Sequence, residues 1–225
     1  MKIVILIPVF NDFKSASKLI EEIDINISEL KAAFSVIVVN DASTEEKILE
    51  TKNLNNIKSL KLINMRNNKG HARCIAAGLK HISENEDFDY VIPMDGDGED
   101  RPEEIKQFVD NLNYNSNKPI VGERIKRSEG IFFKFCYLLH KLITLTFTGE
   151  SVKYGNYSCL PKSIVEKMIN EKATWSSFSG SLAKVAKDKS RVPSERGVRY
   201  FGPSKMSFFN LLVHSLSIIS VFKIN

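Results

Sequence analysis

Over the first 122 residues, short β-branched and aliphatic runs alternate with helical patterns, and few folds can accommodate that alternation. The strand-like runs cover residues 3–7, 35–40, 59–63, 90–94 and 119–121. Between them the spacing predicts helices near 14–31, 44–53, 70–83 and 102–113. The last is opened by Pro102 with Glu103 and Glu104 behind it, a proline and acids in a first helical turn. The expected architecture is α/β, with a Rossmann-like, mostly parallel sheet flanked by helices. After residue 125 the pattern changes, and apolar helices and basic loops are expected. With 225 residues, the chain fits one large domain over 1–205 and a terminal segment over 206–225.

Charge is unevenly spread. Residues 84–104 carry ten acids against Arg101 alone, whereas 184–205 carry seven bases against Asp188 and Glu195. An acidic centre beside a basic stretch suits a cation plus an anionic partner such as phosphate or anionic lipid. A solvated charged surface is the plainer reading of the basic stretch. No nucleic-acid reader motif accompanies Tyr200 and Phe201 there, so nucleic acid is not expected. Cys74, Cys136 and Cys159 have no metal-site spacing and form no even set, which suits a reducing compartment. The apolar run after Lys2 stops at Pro8, too soon for a secretory leader.

Two later segments are apolar over most of a helical circumference. One is about 131–148, with Lys134, Lys141 and Thr148 on one stripe. The other is 206–222, with Ser207, Asn210, His214 and Ser217 on one stripe. Neither is an uninterrupted span of about 20 apolar residues. Each reads as an amphipathic helix at a membrane interface, with packing in the core as the alternative. An apolar segment is still developing at Asn225, and we expect membrane helices to follow in a longer parent.

The chemistry-bearing motifs sit where predicted strands end, the edge at which open α/β sheets bind ligands. Asp95-Gly96-Asp97 closes the fourth run. Hard divalent cations take carboxylate oxygens and share them with substrate phosphates, although Asp and Gly also make plain turns. Pro8-Val9-Phe10-Asn11-Asp12 ends the first run and Asn40-Asp41-Ala42-Ser43-Thr44 the second. Asn68-Lys69-Gly70-His71-Ala72-Arg73 opens a helix whose small residues Ala72, Ala76, Ala77 and Gly78 allow close approach to a sheet or ligand.

In order and spacing these motifs resemble family 2 glycosyltransferases of the GT-A fold. Within that family the chain is most similar to the polyprenyl-phosphate sugar transferases of the dolichyl-phosphate type. Val121-Gly122-Glu123-Arg124 and the run Arg199-Tyr200-Phe201-Gly202-Pro203-Ser204-Lys205-Met206 carry that closer likeness. The resemblance implies that Pro8, Phe10 and Asp12 line a nucleoside pocket and that Asp41 binds base or ribose. It implies that Gly70 and Gly96 belong to the donor site, and that Asp95 and Asp97 hold the sugar nucleotide and Mg²⁺ or Mn²⁺, Asp97 most directly. Arg124, Arg199 and Lys205 would face phosphates, with Asp97 and Arg124 the catalytic pair. Two departures stand out. Gly98-Glu99-Asp100-Arg101-Pro102 follows the acid pair where the family commonly has a Gln-His-Pro-Pro run, and Lys153-Tyr154-Gly155-Asn156-Tyr157-Ser158-Cys159 lacks the Asp-x-x-x-Gly-Phe character frequent there.

Around residues 175–180 there is no acid to act as base. A hydroxyl nucleophile needs one. A phosphate monoester, with a second pKa of about 6, does not. The expected function is therefore inverting transfer of a sugar from a UDP- or GDP-sugar to a polyprenyl phosphate at the cytoplasmic membrane face, with homo-oligomerisation left open. The alternatives are transfer to a glycan hydroxyl in surface polysaccharide synthesis, with Glu150, Glu171 or Glu195 as base, and a catalytically silent nucleotide-binding membrane scaffold.

Overall fold

The computed structural model describes residues 1–45, 49–51, 53–112, 117–125 and 154–202. Its centre is a seven-stranded sheet built from β1 (Lys2–Val9), β2 (Ala33–Asn40), β3 (Ile57–Asn64), β4 (Tyr90–Pro93), β5 (Ile120–Arg124), β6 (Tyr154–Pro161) and β7 (Ser190–Ser194). The spatial order is β3-β2-β1-β4-β6-β5-β7. β6 pairs antiparallel with both β4 and β5, and every other pairing is parallel. Six strands therefore end at one edge, and β6 begins there.

The helices are α1 (Phe13–Asn26), α2 (His71–Asn85), α3 (Ile105–Leu112), α4 (Lys162–Asn170) and α5 (Phe178–Val185). They cover both faces of the sheet, which is why β1 is apolar along nearly its whole length. Ile3, Ile5, Ile7 and Val9 pack with Phe13, Leu19, Ile20 and Ile23 of α1 and Phe108 of α3. Val4 and Leu6 point the other way, to Ile75 and Leu79 of α2, Val165 of α4 and Leu182 of α5. Gly78 lets α2 lie close on the sheet: a Cβ there would fall 2.4 Å from Leu6 Cδ1. The small-residue face of that helix is thus packed on the sheet at Gly78.

The expected α/β sheet forms, with corrections. α1 ends at Asn26 rather than near residue 31. The segment predicted helical near 44–53 is not helical at residues 44–45, 49–51 or 53. Side chains near α1 take its amide donors instead: Thr44 N–H and Glu45 N–H donate to Asn11 Oδ1, and Glu50 N–H to Ser17 Oγ. Pro102–Glu104 forms a 3-10 turn ahead of α3. Past residue 125, the chain expected to hold only apolar helices and basic loops returns to the sheet twice, as β6 and β7. Both interface segments, about 131–148 and 206–222, lie outside the described residues. Among the described residues, no helix is long and apolar enough to cross a membrane.

Candidate active site at the carboxyl edge of the sheet

Each strand end delivers one part of the site. β1 runs into Phe10, Asn11 and Asp12, and Phe10 stays 41% exposed at the edge. Pro8 is buried inside β1, so it shapes the site from beneath rather than lining it openly. Asn11 and Ala42 both adopt left-handed backbone, with φ of 51° and 55°. Asn tolerates this conformation better than Ala does, and the two loops are tied together. Asn11 N–H donates to Ser43 Oγ at 2.9 Å, and Thr44 N–H donates to Asn11 Oδ1 at 2.8 Å.

Asp41 follows β2 and is buried. Its two oxygens accept the Lys69 and Gly70 amides, both at 2.8 Å. What the structure shows of Asp41 and Gly70 is therefore a clamp that fixes the entry to α2. That entry presents His71, the first residue of α2.

The turn after β4 carries the acids. Gly96 is pressed on β1, where a Cβ would lie 3.2 Å from the Pro8 carbonyl oxygen. Asp95 N–H donates to Asp100 Oδ2 at 2.9 Å, so the residue replacing the family's usual run buttresses the acid turn from within. His71 Nε2 lies 3.2 Å from Asp95 Oδ1. Asn156, on β6, donates from Nδ2 to the same Asp95 oxygen at 3.2 Å and lies 2.8 Å from His71 Nε2. Asp97 Oδ1 accepts the Glu99 amide at 3.0 Å. Asp97 Oδ2 accepts from Arg199 Nη1 at 2.7 Å, and the same guanidinium reaches Asp12 Oδ2 at 2.5 Å.

Arg199 gets there because residues 195–202, beyond β7, fold back over the acid turn as a strap. Gly197 N–H donates to the Glu99 carbonyl at 2.8 Å, and Tyr200 N–H to the Asp97 carbonyl at 2.9 Å. Arg196 pairs with Glu99, and the Tyr200 hydroxyl donates to Glu22 on α1. Lys14 and Lys18 lie 4.3 and 4.4 Å from the ring centres of Phe201 and Tyr200. Gly98 is required twice over: its φ is 88°, and a Cβ would sit 2.5 Å from the Tyr200 ring. Arg124, at the end of β5, lies alongside Gly155. Lys205 lies outside the described residues.

Burial and crowding separate the acids. Burial alone would raise Asp95, but the charge and hydrogen bond of His71, the Asn156 amide and the charge of Arg124 hold it well below the usual carboxylate range. Burial and the neighbouring Asp95 charge push Asp100 up to about 8. The same two causes raise Asp97, against the opposing pull of Arg199 and Arg196. Partial burial of the His71 ring opposes its protonation, yet Asp95, Asp100 and Asp97 outweigh that and raise its pKa. Acids crowded in this way favour a nearby positive charge.

Asp95 and Asp97 supply the oxygen donors that Mg²⁺ and Mn²⁺ favour, so the residues suit such an ion. Among the described residues, no three His, Cys, Asp or Glu side chains are arranged to hold a metal by themselves. Waters and ligand oxygens would complete the shell, as is usual for Mg²⁺.

The structure brings Asp12, Asp97 and Arg199 into direct contact, sets Asp95 beside them against His71 and Asn156, and places Arg124 close enough for its charge to act on Asp95 and Asp100. His71, Asn156 and Asp100 were not singled out from the sequence as site residues. His71 could have been, as the first helical residue after a strand-end glycine. Asn156 has no local signal, since only the reversed direction of β6 carries it to this edge.

The strand order, with a reversed strand beside β4 and an acid turn where β4 ends, defines a GT-A-type glycosyltransferase fold. The model of glycosyl transferase family 2 matches residues 4–167, more than half of the chain, and the chain belongs to that family. Undecaprenyl-phosphate 4-deoxy-4-formamido-L-arabinose transferase of Salmonella choleraesuis (strain SC-B67) is 27% identical over 222 residues. That alignment covers 94% of this chain and 64% of the relative, so the chain spans under two thirds of the relative's length. Glucosyl-3-phosphoglycerate synthase from Mycobacterium tuberculosis, solved with Mn²⁺, UDP-glucose and phosphoglyceric acid, shares the fold with a TM-score of 0.67 at 14% identity. The match covers all of this chain and 80% of that one. TarS 1-349 of S. aureus, solved with UDP-GlcNAc, gives a TM-score of 0.59 at 15% identity, over all of this chain and 67% of that one.

Proposed function

We propose that the chain is the catalytic domain of an inverting, metal-dependent glycosyltransferase that moves a sugar from a UDP- or GDP-sugar to a polyprenyl phosphate at the cytoplasmic membrane face. The observation that carries this reading is the meeting of Asp95, Asp97 and Arg199 at the carboxyl edge of the sheet. The curated relatives are undecaprenyl-phosphate sugar transferases, and fold neighbours are solved with UDP-sugars; both support it.

In this reading Phe10 offers an exposed aromatic face to the base, and the Asn11–Ser43–Thr44 ties keep that pocket open. Asp97 and Asp95 would hold Mg²⁺ or Mn²⁺ together with the donor diphosphate. When bound, the metal supplies Lewis-acid stabilisation of the departing nucleoside diphosphate. Arg124 and Arg199 add positive charge where negative charge develops. His71 and Asn156 fix the direction in which Asp95 points its oxygens.

A lipid phosphate is largely dianionic at neutral pH, so it can attack the anomeric carbon without a protein base. Glu171 is poorly suited to be one. Burial would raise its pKa, but the Ala173 amide and Lys184 pull it below the ordinary range, and Lys184 pairs with it at 3.1 Å.

The test is a panel of UDP- and GDP-sugars with Mn²⁺ and a polyprenyl phosphate. Formation of a sugar-phosphate-polyprenol is expected from one of them. Protein that ignores the lipid phosphate but glycosylates a soluble sugar would move the acceptor assignment to a glycan hydroxyl. Nucleotide binding with no turnover of any donor would favour the scaffold.

Asn156→Ala should leave the thermal midpoint close to wild type yet lower Mn²⁺ affinity in the presence of UDP about tenfold or more, as loss of a ligand-orienting partner does. Unchanged Mn²⁺ affinity would remove Asn156 from this role.

A further inference from the structure

Asp97 is the carboxylate expected to take the metal, and its outward oxygen already has a cation. Arg199 Nη1 lies 2.7 Å from Asp97 Oδ2 while Nη2 holds Asp12, so one guanidinium bridges carboxylates from the ends of two strands. All three side chains are largely withdrawn from solvent, at 16%, 20% and 19% exposure for Arg199, Asp12 and Asp97. The remaining Asp97 oxygen is engaged by the Glu99 amide. A divalent ion arriving alone at Oδ2 would meet the repulsion of the guanidinium already held there by Asp97 and Asp12.

We propose that Arg199 is the resident counter-cation of the acid turn and hands Asp97 over to the metal only when a nucleoside diphosphate arrives with it. The proposal rests on the metal-and-nucleotide reading above. Diphosphate oxygens give Arg199 a new bidentate partner, which offsets the lost pair with Asp97. The strap need not detach for this exchange. Its backbone is held independently through Gly197 and Tyr200, so rotation of the Arg199 side chain suffices. Metal and nucleotide then bind as a unit, and each raises the affinity for the other by the same factor. Free metal is kept off the acids until a donor is present.

The experiment is Mn²⁺ titration of the full chain, followed by the electron paramagnetic resonance signal of free Mn²⁺, without nucleotide and with UDP or GDP. Wild type should bind Mn²⁺ weakly alone and tightly with nucleotide. Arg199→Gln should bind Mn²⁺ alone about tenfold more tightly than wild type. Arg196→Gln, which removes an equal charge that pairs with Glu99 instead, should change it by less than about twofold. Arg199→Lys keeps the charge but cannot bridge both acids, and should fall between wild type and Arg199→Gln; it also serves if Arg199→Gln does not fold. Nucleotide-free affinity that is unchanged or weaker in the Arg199 variants overturns the hand-off, as does an equal gain in Arg196→Gln. A wild-type chain that retains no Mn²⁺ even with UDP or GDP sinks the metal-and-nucleotide reading itself, a separate outcome.

Discussion

Asp97→Asn is expected to lower sugar transfer by about a thousandfold, the scale of losing a metal-held leaving-group contact, while leaving the fold as stable as wild type or slightly more so. Both halves of that result follow from the surroundings of Asp97. Burial and the charge of Asp95 raise its pKa, so its ionised form is an electrostatic cost to the folded chain. An asparagine keeps an oxygen for the Glu99 amide, which holds the turn, but its Nδ2 cannot accept from Arg199, which retains Asp12 as its partner. It brings no negative charge to a metal. Transfer rates at saturating donor, measured beside thermal melting, check the two halves separately. Near-normal turnover in a folded Asp97→Asn protein would end the metal role of this residue.

The second large effect lies far from the chemistry. Asp24, near the end of α1, is buried at 5% exposure. Its carboxylate accepts the amides of Asn55, Asn56 and Ile57 at 2.8 to 3.0 Å, gathering the chain into β3. Asp24→Ala leaves those donors without their acceptor and should cost about 3 kcal/mol of unfolding free energy, measured by urea denaturation. The pH dependence has a definite sign. Burial would raise the pKa of Asp24, but the three amides lower it overall. A carboxylate with a depressed folded pKa contributes stability above its unfolded value of about 3.9, and that contribution is lost as pH falls through the folded value. The gap between wild type and Asp24→Ala should therefore be flat at neutral pH and narrow below about pH 4. A gap that widened on acidification would contradict the assignment.

Legibility in the sequence followed continuous aliphatic and β-branched runs more than burial itself, since mostly buried β6 was missed and half-exposed β3 was not. β1, β2 and β4 were visible because both faces of a parallel sheet are covered, which writes continuous aliphatic runs such as Ile5-Leu6-Ile7. The acid turn was visible because it follows such a run directly. β6 was not, since Tyr154-Gly155-Asn156-Tyr157-Ser158 mixes polar and small residues and its pairing partners are distant in sequence. β7 read as a basic loop because it is an edge strand with Arg191 and Pro193 outward and only Val192 and Ser194 buried; an edge is where proline is tolerated. The failed helix near 44–53 has the same lesson in reverse. Its local pattern was helical, but Asn11 and Ser17 captured its amides. Within the site, Asp95 and Asp97 could be read from local order, whereas their contacts with Arg199 and Asn156 exist only once β6 and the strap are in place.

The reversed strand also shapes how the protein is made. β4 pairs through Tyr90 and Val91 with Pro161 and Leu160 of β6. During synthesis, the first four strands can assemble on the ribosome, but the β4 side of that sheet stays an open edge until the chain has grown past residue 161. An uncovered apolar edge is a template for pairing with other chains. Truncations that stop between β5 and β6 should thus give aggregating fragments rather than a smaller nucleotide-binding domain. Slow translation across residues 125–154 would prolong the period in which that edge stays open.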